Sequence, residues 1–152
     1  MALFGQFGIS GSALTAQRLR MDIISANIAN ATTTRGRLVD GQWTPYQRKM
    51  AVVAPRGGPS FDTFLNAATQ GKQSTVTQGV RVTEIIEDQT PFKLVYDPAH
   101  PDANTEGYVQ LPNVDLAKEM VDMLSATRAY EANVTAFNAG KNMEMKALEI
   151  GR

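Results

Sequence analysis

The chain has 152 residues, 15 basic and 15 acidic side chains that cancel to zero net charge, and no cysteine. Zero net charge gives no general support for binding nucleic acid or an anionic membrane, and it offers little resistance to self-association. The lack of cysteine removes disulfides, thiolate metal sites and cysteine nucleophiles together.

Met1–Gly5 opens without a basic segment leading into a short apolar run, so a cleaved secretory signal is not expected. No apolar stretch approaches the ~18 residues that span a bilayer. All seven prolines lie between Pro45 and Pro112. Proline breaks helix interiors, so the two ends are free to be helical and the middle is not. The expectation is an α+β chain in three parts. Residues 1–35 carry an N-terminal helix and its exit, 36–112 a β-rich centre with loops, and 113–152 a long C-terminal helix. The two helices would pair in a coiled-coil-like unit.

The first helix is predicted over 8–30. Phe7, Leu14, Met21 and Ile28 recur every seven residues, with Ile24 beside them. Ile9, Ala16, Leu19, Ile23 and Ala26 fall on roughly the opposite face. Two apolar stripes imply neighbours on both sides. At its end, Ser25–Thr34 concentrates Asn, Ser and Thr, which compete with helical hydrogen bonding and favour helix ends. Asn27 and Asn30 are therefore read either as an ordinary cap or as residues that fix the exit of the chain.

In the centre, Val80, Val82, Ile85 and Ile86 mark one strand. Phe92, Leu94 and Tyr96 mark another, with Glu87–Pro91 as a hairpin connection between them. Residues 46–53 form a weaker strand candidate, and Arg56–Pro59 a loop. Asp97–Asp102 is rich in turn formers, and Gly107–Leu111 is a last short strand.

The second helix is predicted over 114–150, roughly 55 Å long, with Asn113 as N-cap. Leu116, Met120, Met123, Thr127, Tyr130, Val134 and Phe137 follow a 3–4 spacing that Leu148 resumes. The candidate assembly interface thus comprises Ile9, Leu14, Leu19, Met21, Ile23, Ile24 and Ile28 on the first helix. On the second it comprises Leu116, Met120, Met123, Tyr130, Val134, Phe137 and Leu148.

Site chemistry is sparse. His100, the single histidine, stands between Asp97 and Asp102, but a typical zinc site needs three or four ligands, and a polar turn accounts for all three. Gly5, Gly8 and Gly11 do not make a dinucleotide fingerprint, and no nucleophile-elbow motif occurs. No catalytic, cofactor or metal residue is assigned, and no small-molecule substrate.

The stretch SANIANATTT, with Asn27, Ile28, Ala29, Asn30 and Thr33, resembles the signature near the N-terminus of flagellar rod and hook axial proteins. The stretch 97–134 is similar to the proximal-rod branch of that family. Its matching residues are Asp97, Pro98, His100, Pro101 and Asp102, then Gly107, Tyr108, Pro112, Asn113 and Val114, then Arg128, Tyr130 and Asn133. The resemblance implies a structural subunit without catalysis or cofactor. Its terminal helices would polymerise with other copies and with other rod proteins into a hollow drive shaft. It also implies export through the flagellar type III apparatus without cleavage, and a place in the basal-body rod that crosses the periplasm. A sister rod protein is the nearest alternative; a cytosolic coiled-coil adaptor or export chaperone is the more distant one.

Overall fold

A computed structural model describes residues 2–39, 41–56 and 79–150, with side chains from residue 7 onward. Helix α1 covers Ala2–Ala29. Six strands follow: β1 (Arg37–Val39), β2 (Gln42–Thr44), β3 (Lys49–Pro55), β4 (Val80–Glu87), β5 (Lys93–Tyr96) and β6 (Tyr108–Leu111). Helix α2 covers Leu116–Ile150. The strands form three separate two-stranded sheets, β1–β2, β3–β4 and β5–β6. The α+β class and the two terminal helices thus stand as expected.

Two local expectations are corrected. Residues 87–91 do not join β4 and β5 in a hairpin. The Asp88 amide donates to the Arg48 carbonyl, and the Asn113 side-chain amide donates to the carbonyls of Asp88 and Thr90. These bonds hold the linker to other segments, and β5 pairs instead with β6, from Lys93 opposite Leu111 to Tyr96 opposite Tyr108. Nor is Asn113 the cap of α2. Asp115 caps it, its carboxylate accepting from the amides of Ala117 and Lys118 at 3.0 and 3.3 Å. The β1–β2 hairpin was not expected at all. Its strands pair Arg37 with Thr44 and Val39 with Gln42, and Gly41 ahead of β2 has a φ of +80°. Of the loop at Arg56–Pro59, only Arg56 lies within the described residues.

By its contacts the chain divides into two compact units, and both helices contribute to each. One comprises Met1–Arg18, Val53–Thr83 and Arg128–Arg152, the other Leu19–Val52 and Glu84–Thr127. In the first unit, Phe7 of α1 meets Phe137 of α2 edge to face, with ring centroids 5.0 Å apart. The Ser12 hydroxyl donates to the Ile9 carbonyl at 2.7 Å and accepts from the Val80 amide at 3.0 Å. Gly79 passes so close to Ser12 that a Cβ there would collide with the hydroxyl. In the second unit, Ile23, Ile24, Val109, Val114 and Ala126 are buried. Residues 21 and 127 meet, and so do 27 and 119, so the helices run antiparallel there.

Of the two stripes of α1, Ile24 on one and Ala16 and Ile23 on the other are buried, while Ala26 is exposed. The least exposed positions of α2 include Glu119, Met123, Ala126, Tyr130, Asn133, Phe137, Gly140 and Glu144. Their steps alternate between four and three residues, the spacing of a coiled-coil seam. Ala126 sits fully buried in that seam, where a small side chain lets the backbones approach. Ala126→Leu is expected to overpack the seam and cost about 1–3 kcal/mol. Ala132→Leu, on the exposed face of the same helix, should stay within about 0.5 kcal/mol of wild type. Parallel urea denaturation of the two variants measures the difference, and equal midpoints would contradict the packing described.

Candidate assembly site

At the end of α1, the Asn27 side chain is 1% exposed and uses its full hydrogen-bonding capacity. Its amide donates to the Lys49 carbonyl at 2.9 Å and to the Glu119 carboxylate at 3.1 Å. Its oxygen accepts from the Lys49 amide and from the Tyr46 hydroxyl, both at 2.9 Å. Asn27 thus meets the backbone of Lys49, the first residue of β3, as a neighbouring strand would.

Glu119, in the first turn of α2, is 0% exposed. A carboxylate there needs compensation. Asn27 supplies one bond, and the Arg48 guanidinium supplies another, from Nε at 2.6 Å. Arg48 also reaches Asp88 at 3.3 Å and Asp122 at 3.8 Å. Burial works against the charge on Arg48, but the bonds to Glu119 and Asp88 outweigh it and push the guanidinium above its usual range. Burial, then the Glu119 and Glu87 charges, push the Tyr46 hydroxyl up as well, which keeps it a donor to Asn27. The Asn113 side-chain oxygen accepts from the Arg48 backbone amide at 2.8 Å. The node therefore joins five segments: the end of α1, residues 46–49, the loop 88–90, Asn113 and the start of α2.

A second tie lies at the exit of α1. Asp102 accepts from the Thr34 hydroxyl and from Arg35 Nε, both at 2.8 Å. The Arg35 and Thr34 hydrogen bonds hold the Asp102 carboxyl below its usual range. His100 Nδ1 accepts from the Asp102 amide at 3.1 Å, so the histidine serves the turn. Among the described residues no group of three His, Cys, Asp or Glu is placed to hold a metal ion. No described helix is long and apolar enough to cross a membrane.

The sequence-nominated interface residues fall into three groups. Ile23 and Ile24 are buried. Ile9, Leu14, Leu19, Met21, Ile28, Met123, Tyr130, Val134 and Phe137 are partly covered. Leu116, Met120 and Leu148 are exposed.

The motif residues separate by role. Asn27 and Asn113 meet in the node. Asn30 caps α1, its amide donating to the Ala26 carbonyl and its oxygen accepting from the Thr33 hydroxyl. Ile28 is partly covered and Ala29 exposed. Asp97 accepts from the Ala99 amide, and Pro101 is exposed. Gly107, at φ +82°, lies under the Tyr96 ring and against Pro98. Tyr96 and Tyr108 stack edge to face at 5.3 Å. Pro112 and Val114 are buried, Arg128 is exposed, and Asn133 bonds back to the Ala129 carbonyl. Sequence reasoning missed Tyr46, Arg48, Asp88 and Glu119. The one available signal was Glu119, a carboxylate on a seam position.

Within the second unit the two terminal helices run antiparallel, with the β-rich middle between them in sequence. Residues 8–36 match the family model described as "Flagella basal body rod protein". Residues 105–150 match "Flagellar basal body rod FlgEFG protein C-terminal". Over all 152 residues, and the whole of the relative, the chain is 56% identical to the flagellar basal-body rod protein FlgC of Bacillus subtilis. It is 47% identical to FlgC of Borreliella burgdorferi, covering 99% of this chain and 98% of the relative. It is 42% identical to FlgC of Escherichia coli O6:H1 over the whole of both chains. The chain belongs to the FlgC family of flagellar basal-body rod proteins.

Two outcomes test the node and the tie. Glu119→Ala removes the main partner of a partly buried arginine and should cost about 3–5 kcal/mol. Asn27→Ala strands the Lys49 backbone groups and should cost about 1–3 kcal/mol for each. Exposed Glu131→Ala should change stability by no more than about 0.5 kcal/mol; urea denaturation ranks the three.

The Asp88 and Asp102 carboxyls are both held low, Asp88 by the Thr90 amide and hydroxyl together with Arg48. A depressed folded pKa stabilises above the unfolded value, about 3.9, and that gain is lost as pH falls through the folded value. Denaturation midpoints should therefore hold steady at neutral pH and drop below about pH 4. Asp102→Asn should shrink that drop, and an unchanged drop would show that the tie does not contribute.

Proposed function

We propose that this chain is a subunit of the proximal part of the flagellar rod, polymerising through its terminal helices. Membership of the FlgC family makes it a structural subunit of the flagellar basal-body rod. The finer reading is a hollow shaft that crosses the periplasm, transmits torque and passes exported subunits. Residues 1–35 and 113–152 are the two halves of the assembly core, and 36–112 the central domain. The partners are further copies, other rod proteins and the flagellar type III export apparatus. The role is mechanical, without catalysis. The observation that carries this reading is the full-length 56% identity to a rod protein. The paired helices support it, because α2 keeps large apolar side chains in solvent along much of its length.

The test is complementation of a strain lacking the chain. The wild-type chain should restore swimming and appear in isolated basal bodies. Ala126→Pro should break α2 at mid-length, at a cost of about 3 kcal/mol or more. That variant should be made but leave cells non-motile with incomplete rods. Complete rods assembled without the chain would favour a cytosolic adaptor or export chaperone instead.

A further inference from the structure

The second unit carries an open groove of about 280 Å³ whose walls belong to the β1–β2 and β5–β6 hairpins. Trp43, Pro45 and Tyr108 give it apolar surface, and Gln42, Asn104 and Gln110 are its polar lining. Trp43 is 56% exposed and Tyr108 41%. The Tyr108 ring is braced edge to face by Tyr96, its cross-strand partner, at 5.3 Å. That wall therefore keeps its shape with nothing bound.

The polar groups of the groove lean towards donation. The Asn104 side-chain oxygen is already taken by the Glu106 and Tyr108 amides at 3.0 and 2.9 Å, which leaves its nitrogen as a pure donor. The Trp43 indole N–H can only donate. The Tyr108 hydroxyl and the side-chain amides of Gln42 and Gln110 can donate as well. Among the described residues none of these donors has a hydrogen-bond partner. The one charged side chain on the lining, Asp102, is held by Thr34 and Arg35.

A ligand that suits these walls is uncharged, has flat apolar surface and presents mainly acceptors. Proline meets all three conditions, because its ring is apolar and its backbone keeps a carbonyl but no N–H. A proline-rich segment holds a polyproline II helix with no internal hydrogen bonds, so its carbonyls stay free and its shape is set before docking. Aromatic-lined grooves take such segments for these reasons. A saccharide, whose hydroxyls donate as readily as they accept, matches a surplus of donors less well.

We infer that the groove between Trp43 and Tyr108 docks a proline-rich segment of a partner protein in polyproline II conformation. The inference goes beyond the rod-subunit reading and stands or falls apart from it.

Trp43 is the single tryptophan, so the tryptophan fluorescence of the full-length chain reports on this groove alone. Titration with decaproline should move the Trp43 emission to shorter wavelength and saturate. Tyr108→Ala should weaken binding about tenfold or more. Asn104→Asp keeps the oxygen that holds the turn and removes only the donor, so it tests the groove in a chain whose turn stays closed. It should weaken binding about threefold. Glu131→Ala, on α2, should bind as wild type does. A titration without saturation, or one that neither Tyr108→Ala nor Asn104→Asp alters, overturns the inference. Saturation by chitotetraose where decaproline gives none makes the groove a saccharide site and overturns it too. An emission shift that grows with protein concentration, with no peptide added, places a second copy in the groove and likewise overturns it.

Discussion

Glu119 is a carboxylate with no exposed surface, set in the first turn of a helix whose register it governs. A buried charge without partners costs several kcal/mol, so α2 can begin at Leu116 only where Asn27 and Arg48 are both within reach. Neither partner is free to move. Asn27 is bound on both sides by the backbone of Lys49, and Arg48 is held by Asp88, Asp122 and the oxygen of Asn113. The segments on which these residues sit are consequently tied to one another by polar bonds that apolar contacts would not specify.

The distinction matters because the helices have repeating seams. Heptad spacing on α1 and on α2 means that sliding one helix by seven residues would again set apolar rows against each other. Hydrophobic burial is non-directional and separates such registers weakly. A satisfied polar node separates them sharply, since every slipped register strands Glu119 and Asn27 without partners. Stability is thus assigned to the seam, with Ala126 and the Phe7–Phe137 pair, and register to the node.

The sequence disclosed the helices because proline is confined to the centre and the apolar spacing persists for many turns. It disclosed the strands at 49–55, 80–87, 93–96 and 108–111 through β-branched and aromatic residues. Strand pairing was less accessible. The Glu87–Pro91 linker has the composition of a hairpin turn, but its bonds to Arg48 and Asn113 are long-range and leave no local trace. The β1–β2 hairpin did carry a local signal, the Asp40–Gly41 dipeptide between Val39 and Gln42. At the site, Asn27 could be singled out as unusual for a helix, whereas its partners at positions 46, 49 and 119 depend on the tertiary fold. The same limit hid Asp115 as the cap of α2, because Asn113 has equal intrinsic claim to that place.

Two apolar stripes on α1 call for neighbours on both sides, and the chain covers most of each, burying Ile24 on one and Ala16 and Ile23 on the other. One stripe meets α2, as at Met21 with Thr127. Beside the other, Ser12 bonds Val80 and Asn27 bonds Lys49. What remains of α1 is a third, narrow face of Arg18, Asp22, Ser25 and Ala29. Its charges, Arg18 and Asp22, belong to none of the ion pairs formed among the described residues. Met120, Val121 and Leu124 of α2 remain exposed because the covered face of that helix is the one that carries Glu119, Met123 and Ala126.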